Sequence, residues 1–237
     1  MPHPAPLQSG ARSFVLAGKI AAVIETIASE QVHLLPQRAL YWPARRMLMV
    51  ADIHFGKAAA FRAQGIPVPH GTTAQNLALL DTLLAAWQVE TIVFLGDFLH
   101  ARAARAPTTL AAIARWRGQH QDLRLLLVRG NHDRHAGDPP ADLMIEPVNE
   151  PYQIAPFSFC HHPDLPTPGF VVAGHVHPVY RLSRRGDSVR LPCFVLGPSS
   201  LILPSFGAFT GGFVVTPAAD ERIYLAVDEV VVPVRHG

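Results

Sequence analysis

Three short apolar runs separated by helical stretches constrain the fold more than any other feature of the sequence. The runs are MLMVA, TIVFLG and LRLLLV, which begin at Met47, Thr91 and Leu123. Between the first two, TTAQNLALLDTLLAAW has the apolar spacing of an amphipathic helix, with Thr72 or Thr73 as its cap. Between the last two, PTTLAAIARWRGQH is typical of a helix with a proline in its first turn. This alternation predicts a parallel sheet with right-handed crossovers.

The rest of the chain is predicted to be mostly β-structure. QVHLL and ALYWP are separated by three residues and predict a hairpin, and after Pro151 short β-like runs follow one another with few helices. A second sheet stacked on the first is the expected result. We therefore predict an α/β fold, a four-layer αββα sandwich of two mixed β-sheets flanked by helices. At 237 residues, one domain over 1–237 is expected, with a frayed segment at 1–18; two small domains are the alternative.

Composition excludes some classes of protein and leaves the partner open. The net charge is +2 with histidine neutral, so any basic surface for nucleic acid has to be local. Two cysteines are too few for a disulfide framework, which fits a reducing cytoplasm. The chain lacks an apolar stretch of about 20 residues, and MPHPAPLQSGARS lacks the order of a signal peptide. We expect a soluble, cytoplasmic protein that does not enter a membrane.

Polar residues with metal-binding chemistry follow the predicted strands. The set comprises Asp52 and His54 in ADIHFGK, Asp97 and His100 in GDFLH, Asn131, His132 and Asp133 in GNHD, His161 and His162 in CHHP, and His175 and His177 in GHVHP. In open α/β sheets ligands bind outside the carboxyl ends of the strands, so these groups are expected to converge. Carboxylates, imidazoles and an amide without a thiolate suit a pair of ions such as Mn²⁺, Fe or Zn²⁺. Such a pair shares one carboxylate and clamps the oxygens of a phosphoryl displacement.

The motif order D-x-H, GD, GNHD, H, GHxH resembles that of the calcineurin-like metallophosphoesterases, over about Asp52 to His177. More narrowly, ADIHFGKAAAFRAQGIPVPHGTT, HHP, GHVHP and LPSFGAFTGG resemble the ligase-associated subfamily called PdeM, over nearly the whole chain after residue 30. The resemblance implies a ββ sandwich flanked by helices with a two-metal site. It also implies a functional association with an ATP-dependent DNA ligase and a helicase.

The resemblance implies a role for each residue of the set. Asp52, His54 and His177 would hold one ion, Asn131, His161 and His175 the other, and Asp97 would bridge them. The family's ligand follows the strand directly, which favours His161, with His162 as the alternative. Mn²⁺ is the expected metal, with Fe or Zn²⁺ as alternatives.

The GNHD motif is expected to supply the catalytic groups. The nucleophile would be a metal-bridging hydroxide. His132 would protonate the leaving oxygen or stabilise the developing charge, and Asp133 would orient the His132 ring through its other nitrogen. Gly130 would let the backbone turn at the end of the strand.

His100, which follows the predicted bridging aspartate, either contacts the substrate or supports a metal ligand. Cationic residues in the site loops are further candidates for binding a phosphate; they are Lys57, Arg62, Arg102 and Arg134. A solvated rim is the competing interpretation. The expected function is a dinuclear-metal phosphodiesterase, either a nuclease associated with DNA repair that acts on DNA or RNA ends or a 2′,3′-cyclic-nucleotide phosphodiesterase. A small-molecule phosphatase or diesterase is one alternative. A non-catalytic scaffold is disfavoured because His132 and every ligand are present. The sequence leaves the oligomeric state open.

Overall fold

A computed structural model describes residues 12–16, 20–68, 71–184 and 187–234. Its β-strands are β1 (Arg12–Leu16), β2 (Ile20–Ile27), β3 (Glu30–Leu35), β4 (Ala39–Trp42), β5 (Met47–Ala51), β6 (Thr91–Leu95), β7 (Arg124–Val128), β8 (Ile145–Val148), β9 (Tyr152–Ile154), β10 (Phe157–Phe159), β11 (Phe170–Ala173), β12 (Pro178–Arg184), β13 (Asp187–Leu196), β14 (Ser200–Ile202), β15 (Phe213–Val214), β16 (Arg222–Val227) and β17 (Val230–Pro233). Its α-helices are α1 (Lys57–Ala63), α2 (Thr72–Ala86), α3 (Pro107–Gln119) and α4 (Asn131–Ala136). Short 3-10 helices lie at Pro43–Arg45, Arg102–Arg105 and Ala141–Leu143.

The first sheet contains the alternating part of the chain. Strands β5, β6, β7 and β8 are parallel neighbours in that order, and β1 to β4 extend the sheet as antiparallel strands beside β5. The segments between the parallel strands contain α1 and α2 in one case and α3 in the next. This confirms the parallel sheet predicted from the three apolar runs. Every residue of β5 is buried, as expected for a central strand covered on both faces.

The second sheet is built from the short β-like runs after Pro151. Strands β10, β11 and β14 are parallel, while β9, β13, β16 and β17 join them with antiparallel pairs; β12 and β15 pair beside β13. The two sheets meet at one edge through the residue pair Val230 and Ala21. The prediction of two mixed sheets with helices is confirmed.

Two apolar clusters hold these layers together. Because side chains alternate along a strand, Leu48 and Val50 of β5 face the helices, whereas Met47, Met49 and Ala51 face the second sheet. The inner face of the second sheet adds side chains that include those of Phe159, Val172 and Phe194. Burial on both faces therefore fixes the register of β5, and with it the position of the residues that follow its carboxyl end.

Two local predictions are corrected. Residues 12–16, expected to be frayed, pair with β2 as a strand, and the remainder of the 1–18 segment lies outside the described residues. Helix α2 begins at Thr72, but its N-cap is Gly71 at φ 86 and not a threonine. The Thr73 hydroxyl instead accepts a hydrogen bond from the Gly56 amide, so it braces the site loop after β5. None of the helices in the described part of the chain combines the length and apolar character that a membrane crossing requires.

Candidate metal centre

The predicted ligands converge at the carboxyl ends of strands from both sheets. Asp52 and His54 follow β5, Asp97 follows β6, and Asn131 begins α4 shortly after β7. His161 follows β10, and His175 and His177 lie between β11 and β12. Parallel strands end at the same edge of a sheet, so residues far apart in the sequence are placed side by side. The two sheets thus supply opposite walls of one site.

One half of the site contains Asp52, His54, Asp97 and His177. Their ligand atoms all lie within 4.8 Å of one another. The Nε2 atom of His177 is 3.4 Å from Oδ1 of Asp52, and Nε2 of His54 is 3.7 Å from Oδ2 of Asp97. The two carboxylates and His54 are buried, so this half combines negative charge with exclusion of water.

The other half is centred on His161, whose side chain is fully buried. Its Nε2 atom lies 2.9 Å from Oδ1 of Asn131, 3.0 Å from Nδ1 of His175 and 3.5 Å from Oδ1 of Asp97. Asp97 therefore directs one oxygen to each half, as a shared carboxylate would. His162 also has a ring nitrogen within the same 4.8 Å cluster as His161 and His175.

Five of these residues have a left-handed backbone. The φ angles are 53° at Asp52, 49° at His54, 51° at Asp97, 68° at His175 and 50° at His177. Such conformations cost about 1 to 3 kcal/mol each outside glycine and persist where the surroundings impose them, often at functional sites. This concentration of strain marks the same residues that the motifs indicate.

Small residues are required where the two walls approach each other. A Cβ atom on Gly96 would lie 2.0 Å from Nδ1 of His161, and one on Gly130 would lie 2.5 Å from Oδ1 of Asp97. Gly130 has φ −95° and ψ −177°, which any residue adopts, so the prediction that it serves a turn is wrong. The space taken by the Asp97 carboxylate is what excludes a side chain there.

The hydrogen bonds of the rings leave lone pairs facing the cluster. The Nδ1–H groups of His161 and His177 donate to the carbonyl oxygens of Leu95 and Gly211, at 3.1 and 3.3 Å. A carbonyl can only accept, so in the neutral form of each ring the lone pair lies on the Nε2 atom. Burial lowers the pKa of His161 to about 4, which keeps this ring neutral near pH 7.

Several buried atoms of the cluster lack the partner they need. Oδ1 of Asp52 and Nε2 of His54 are buried without a hydrogen bond in the described structure. Oδ1 of Asn131 and Nε2 of His161 are both acceptors, yet they face each other at 2.9 Å. Two ligands at right angles around one ion, each about 2.1 Å from it, are separated by about 3 Å. The residues present therefore fit divalent cations, and their oxygen and nitrogen donors fit Mn²⁺, Fe or Zn²⁺.

His132 faces the cluster from the start of α4. Its Nδ1–H donates to the carbonyl oxygen of His100 at 2.5 Å, and its Nε2 atom lies 3.9 Å from Oδ2 of Asp97. The side chain is 37% exposed, in contrast to the buried rings beside it, so it can reach a bound substrate. The His100 ring stacks on it with centroids 4.9 Å apart.

Asp133 does not orient the His132 ring, so that prediction is wrong. Its carboxylate accepts backbone hydrogen bonds from Phe98 at 2.9 Å, Leu99 at 3.4 Å and Gly130 at 2.9 Å. The physical reason is that consecutive residues of a helix point in different directions, which separates the two side chains. Burial raises the pKa of Asp133 to about 6, although its hydrogen bonds with the backbone oppose this. Asp133 ties the loop after β6 to the start of α4.

The predicted phosphate-binding residues differ in their distance from the cluster. Lys57 is half-buried at the start of α1, and burial lowers its pKa while Asp97 and Asp52 act in the opposite direction. The Nδ1 atom of His100 lies 3.4 Å from the Nδ1 atom of His54. Arg134 is largely exposed and reaches the carboxylate of Glu150 at 3.5 Å. Arg62 lies on α1 and Arg102 on the 3-10 turn packed against it, and their roles stay predictions.

Sequence reasoning missed Glu150, whose side chain is only 5% exposed. It accepts hydrogen bonds from the His161 amide, the His162 amide and the Nδ1–H of His162. These bonds lower its pKa overall, although burial alone would raise it. A single acid in a loop belongs to no periodic pattern or motif that would mark it as part of the site. Its partner histidines are also 11 and 12 positions away, so the sequence does not show that they are in contact.

Comparisons with known proteins agree with this geometry. The model of the family described as calcineurin-like phosphoesterase matches residues 45–165, about half of the chain. A solved structure described as the nuclease MPE of Pseudomonas putida is 46% identical, with a TM-score of 0.78, and the match covers 95% of this chain and 100% of that one. No curated protein matches the chain.

Two more distant structures also align. A protein of unknown function from Aquifex aeolicus, AQ665, is 19% identical over 59% of this chain and 81% of its own, with a TM-score of 0.38. A double mutant of Vps29 from Entamoeba histolytica is 13% identical over 80% of this chain and 97% of its own, with a TM-score of 0.31. Both likenesses are too weak to bear on the chemistry of the site.

Proposed function

The chain belongs to the calcineurin-like phosphoesterases, which depend on two metal ions, and we propose that it is a nuclease that hydrolyses phosphodiester bonds in DNA or RNA. Membership makes it a metal-dependent phosphoesterase, a hydrolase of ester bonds. The observation that carries the nuclease proposal is the 46% identity with the P. putida nuclease, over 95% of this chain. The convergence of seven predicted ligands in one cluster supports it.

We propose that Asp52, His54 and His177 bind one ion, that Asn131, His161 and His175 bind the other, and that Asp97 contacts both. The two oxygens of Asp97, one facing each half, support the bridging role. His161 is preferred over His162 because its ring is buried among the other ligands, whereas Nδ1 of His162 is hydrogen-bonded to Glu150 at 2.7 Å. Bound divalent ions supply an activated water and neutralise charge on the phosphoryl oxygens. Mn²⁺ is the first choice, with Fe or Zn²⁺ as alternatives.

His132 is proposed to assist the leaving group. Because its Nδ1–H is held by the His100 carbonyl, its Nε2 atom is directed to the space above Asp97. A proton at Nε2 can pass to the leaving oxygen or stabilise the charge that develops there. His100 holds this ring by its carbonyl and by stacking.

The distribution of positive charge supports a diester substrate. A phosphomonoester is a dianion and is helped by several cationic contacts, whereas a diester carries one charge and needs fewer. Burial lowers the pKa of Lys57, while the charges of the Asp97 and Asp52 carboxylates raise it, so Lys57 is a cation that interacts with the buried acids of the site. Arg134 is 64% exposed and paired with Glu150. A role in DNA repair in the cytoplasm, with a ligase and a helicase as associates, remains a proposal from the sequence resemblance.

Hydrolysis assays test the proposal. The purified protein with Mn²⁺ is expected to cleave bis-p-nitrophenyl phosphate faster than p-nitrophenyl phosphate, and to cleave single-stranded DNA or RNA. Asp138→Asn removes a surface carboxylate that is paired with Arg129 outside the proposed ligands. It is expected to keep normal rates and serves as the control for the effect of losing any one carboxylate. A strong preference for the monoester would instead indicate a phosphatase. Cleavage of bis-p-nitrophenyl phosphate or a 2′,3′-cyclic nucleotide without any cleavage of nucleic acid would indicate a small-molecule diesterase.

A further inference from the structure

Glu150 supplies a buried anion to two consecutive histidines. It follows β8 and precedes β9, and only 5% of its side chain is exposed. One carboxylate oxygen accepts the amides of His161 and His162, at 2.8 and 2.9 Å. The other accepts Nδ1–H of His162 at 2.7 Å. The second oxygen also lies 3.5 Å from the Arg134 guanidinium, but the hydrogen bonds of both oxygens go to the loop that follows β10.

These contacts hold His161 at several points of its backbone and ring. Glu150 binds its amide, while its carbonyl oxygen accepts the Gly174 amide at 3.2 Å from the turn that carries His175. The Leu95 carbonyl accepts the ring Nδ1–H at 3.1 Å. With amide, carbonyl and ring all held, Nε2 has one direction left, toward Asn131 and His175.

The same carboxylate turns the His162 ring. Because Nδ1 is engaged with Glu150, the ring lies beside His175, with centroids 4.5 Å apart and planes tilted by 51°. The His162 side chain is 31% exposed, in contrast to the fully buried His161. Glu150 thus gives the two histidines different orientations. The His161 ring points to Asn131 and His175, and the His162 ring lies beside His175 with its Nδ1 atom on Glu150.

We propose that Glu150 is a positioning residue for the half of the site formed by Asn131, His161 and His175, and that it acts mainly through the His161 and His162 amides. The inference rests on the proposed two-metal site. Its hydrogen bonds in the described part of the chain go to His161 and His162, so its removal affects one half of the site selectively. Mutation of a residue that hydrogen-bonds to a metal ligand typically lowers metal affinity or activity by about 10- to 100-fold.

Glu150→Gln tests this with little change of shape. An amide keeps the shape but removes the negative charge, so even with its oxygen on the two backbone amides it makes only neutral, weaker hydrogen bonds there, and in the other orientation it faces them with a donor. Calorimetric titration of the metal-free protein with Mn²⁺ is expected to show two equivalents in the wild type. In the variant one equivalent is unchanged and the other is weakened by about 10- to 100-fold. Electron paramagnetic resonance gives a second readout, because a coupled pair of Mn²⁺ ions is replaced by the six-line signal of a single ion.

Three further variants separate the amide contacts from other effects. His162→Ala removes the ring but keeps both amides, and it is expected to retain both equivalents. Glu146→Gln changes an acid on β8 that is 52% exposed and paired with Arg124, and it is the matched control. Glu150→Gln/Asn131→Ala is expected to keep the first equivalent at wild-type affinity.

Each contrary result overturns the inference. Normal binding of both equivalents by Glu150→Gln would show that the contacts do not position the site. Equal weakening of both would indicate a general loss of structure. Loss of one equivalent in His162→Ala would make the His162 ring the functional group. A wild-type protein that fails to bind two ions would overturn the two-metal proposal as well, whereas normal wild-type binding with an unaffected variant would overturn this inference alone.

Discussion

Asp97 is the residue that connects the two halves of the site. Its oxygens lie 3.7 Å from Nε2 of His54 and 3.5 Å from Nε2 of His161, and one of them also accepts the His132 amide at 3.0 Å. Its backbone is left-handed, at φ 51°. Burial raises the pKa of Asp97, with the charge of His132 acting in the opposite direction. A buried carboxylate with this many neighbours is held in place by the fold before any ion binds.

Asp97→Asn is expected to reduce activity more than Asn131→Ala, because an amide offers one oxygen where two are needed. Turnover of bis-p-nitrophenyl phosphate with saturating Mn²⁺ measures the difference. Asp81→Asn is a control, because that acid pairs with His120 and Trp116 outside the site. Near-normal rates for Asp97→Asn together with an inactive Asn131→Ala would show that the bridging role is wrong.

His132→Ala is expected to lower kcat/KM by about 10²- to 10⁴-fold for a diester with a poor leaving group, the usual range for general acid catalysis. With p-nitrophenolate as leaving group the loss should be smaller, since that oxygen hardly needs a proton. The ratio of the two losses is the measurement. Equal losses would mean that His132 acts through charge stabilisation or positioning.

At the scale of elements, the ends of strands carry the chemistry, and glycines let them approach. Gly96 ends the run of β6 at φ 78°, and the His161 ring occupies the space where its side chain would lie. Gly65 has the same φ of 78° at the end of α1, but nothing lies within 4 Å of a Cβ placed there. The two positions therefore share a left-handed backbone, which glycine adopts without strain, and differ in contact with the site.

Gly65→Ala is expected to lower the free energy of unfolding by about 1 to 2 kcal/mol, the cost of a left-handed residue. Gly96→Ala adds about 1 to 3 kcal/mol for overpacking against the His161 ring. Urea unfolding of both metal-free variants measures the difference, and Gly96→Ala should also weaken Mn²⁺ binding. Equal losses of stability would show that the His161 ring moves aside freely.

The sequence predicted the elements that have a strong period and missed those that do not. Strands β5, β6 and β7 and helices α2 and α3 follow from apolar spacing, because burial on defined faces imposes that spacing. Helix α4 has six residues and begins inside GNHD, so it is too short to show a period. Strand β14 has three residues.

Within the site, the identity of the ligands could be predicted from the order of the motifs. The hydrogen-bond partners of individual side chains could not, because they depend on where each side chain points. The convergence of the ligands followed from the strand ends. The partner of the His132 ring did not, because a backbone carbonyl, that of His100, leaves no mark in side-chain identity. Glu150 was missed for a related reason, since its main partners are backbone amides.

At the scale of the whole molecule, the site joins two sheets that also meet through the apolar layer between them and through the edge pair Val230 and Ala21. Asp52, Asp97 and Asn131 come from strand ends of the first sheet, while His161 and His175 come from the second. Ions bound between them would link the two sheets at the edge where the carboxylate oxygens and imidazole nitrogens of the ligands lie close together. Metal binding and folding stability should therefore be coupled.

Mn²⁺ is expected to activate the metal-free protein and to raise its melting temperature. A ligand at 100 times its Kd stabilises the folded state by about 2.7 kcal/mol per site, and for a chain of this size each 1 kcal/mol shifts Tm by about 2 to 4 °C. His175→Ala removes a ligand from the second sheet, so it should retain only part of the shift. His120→Ala, a histidine paired with Asp81 away from the cluster, should retain all of it. Full turnover in excess chelator, or the same Tm with and without Mn²⁺, would contradict a metal site that links the two sheets.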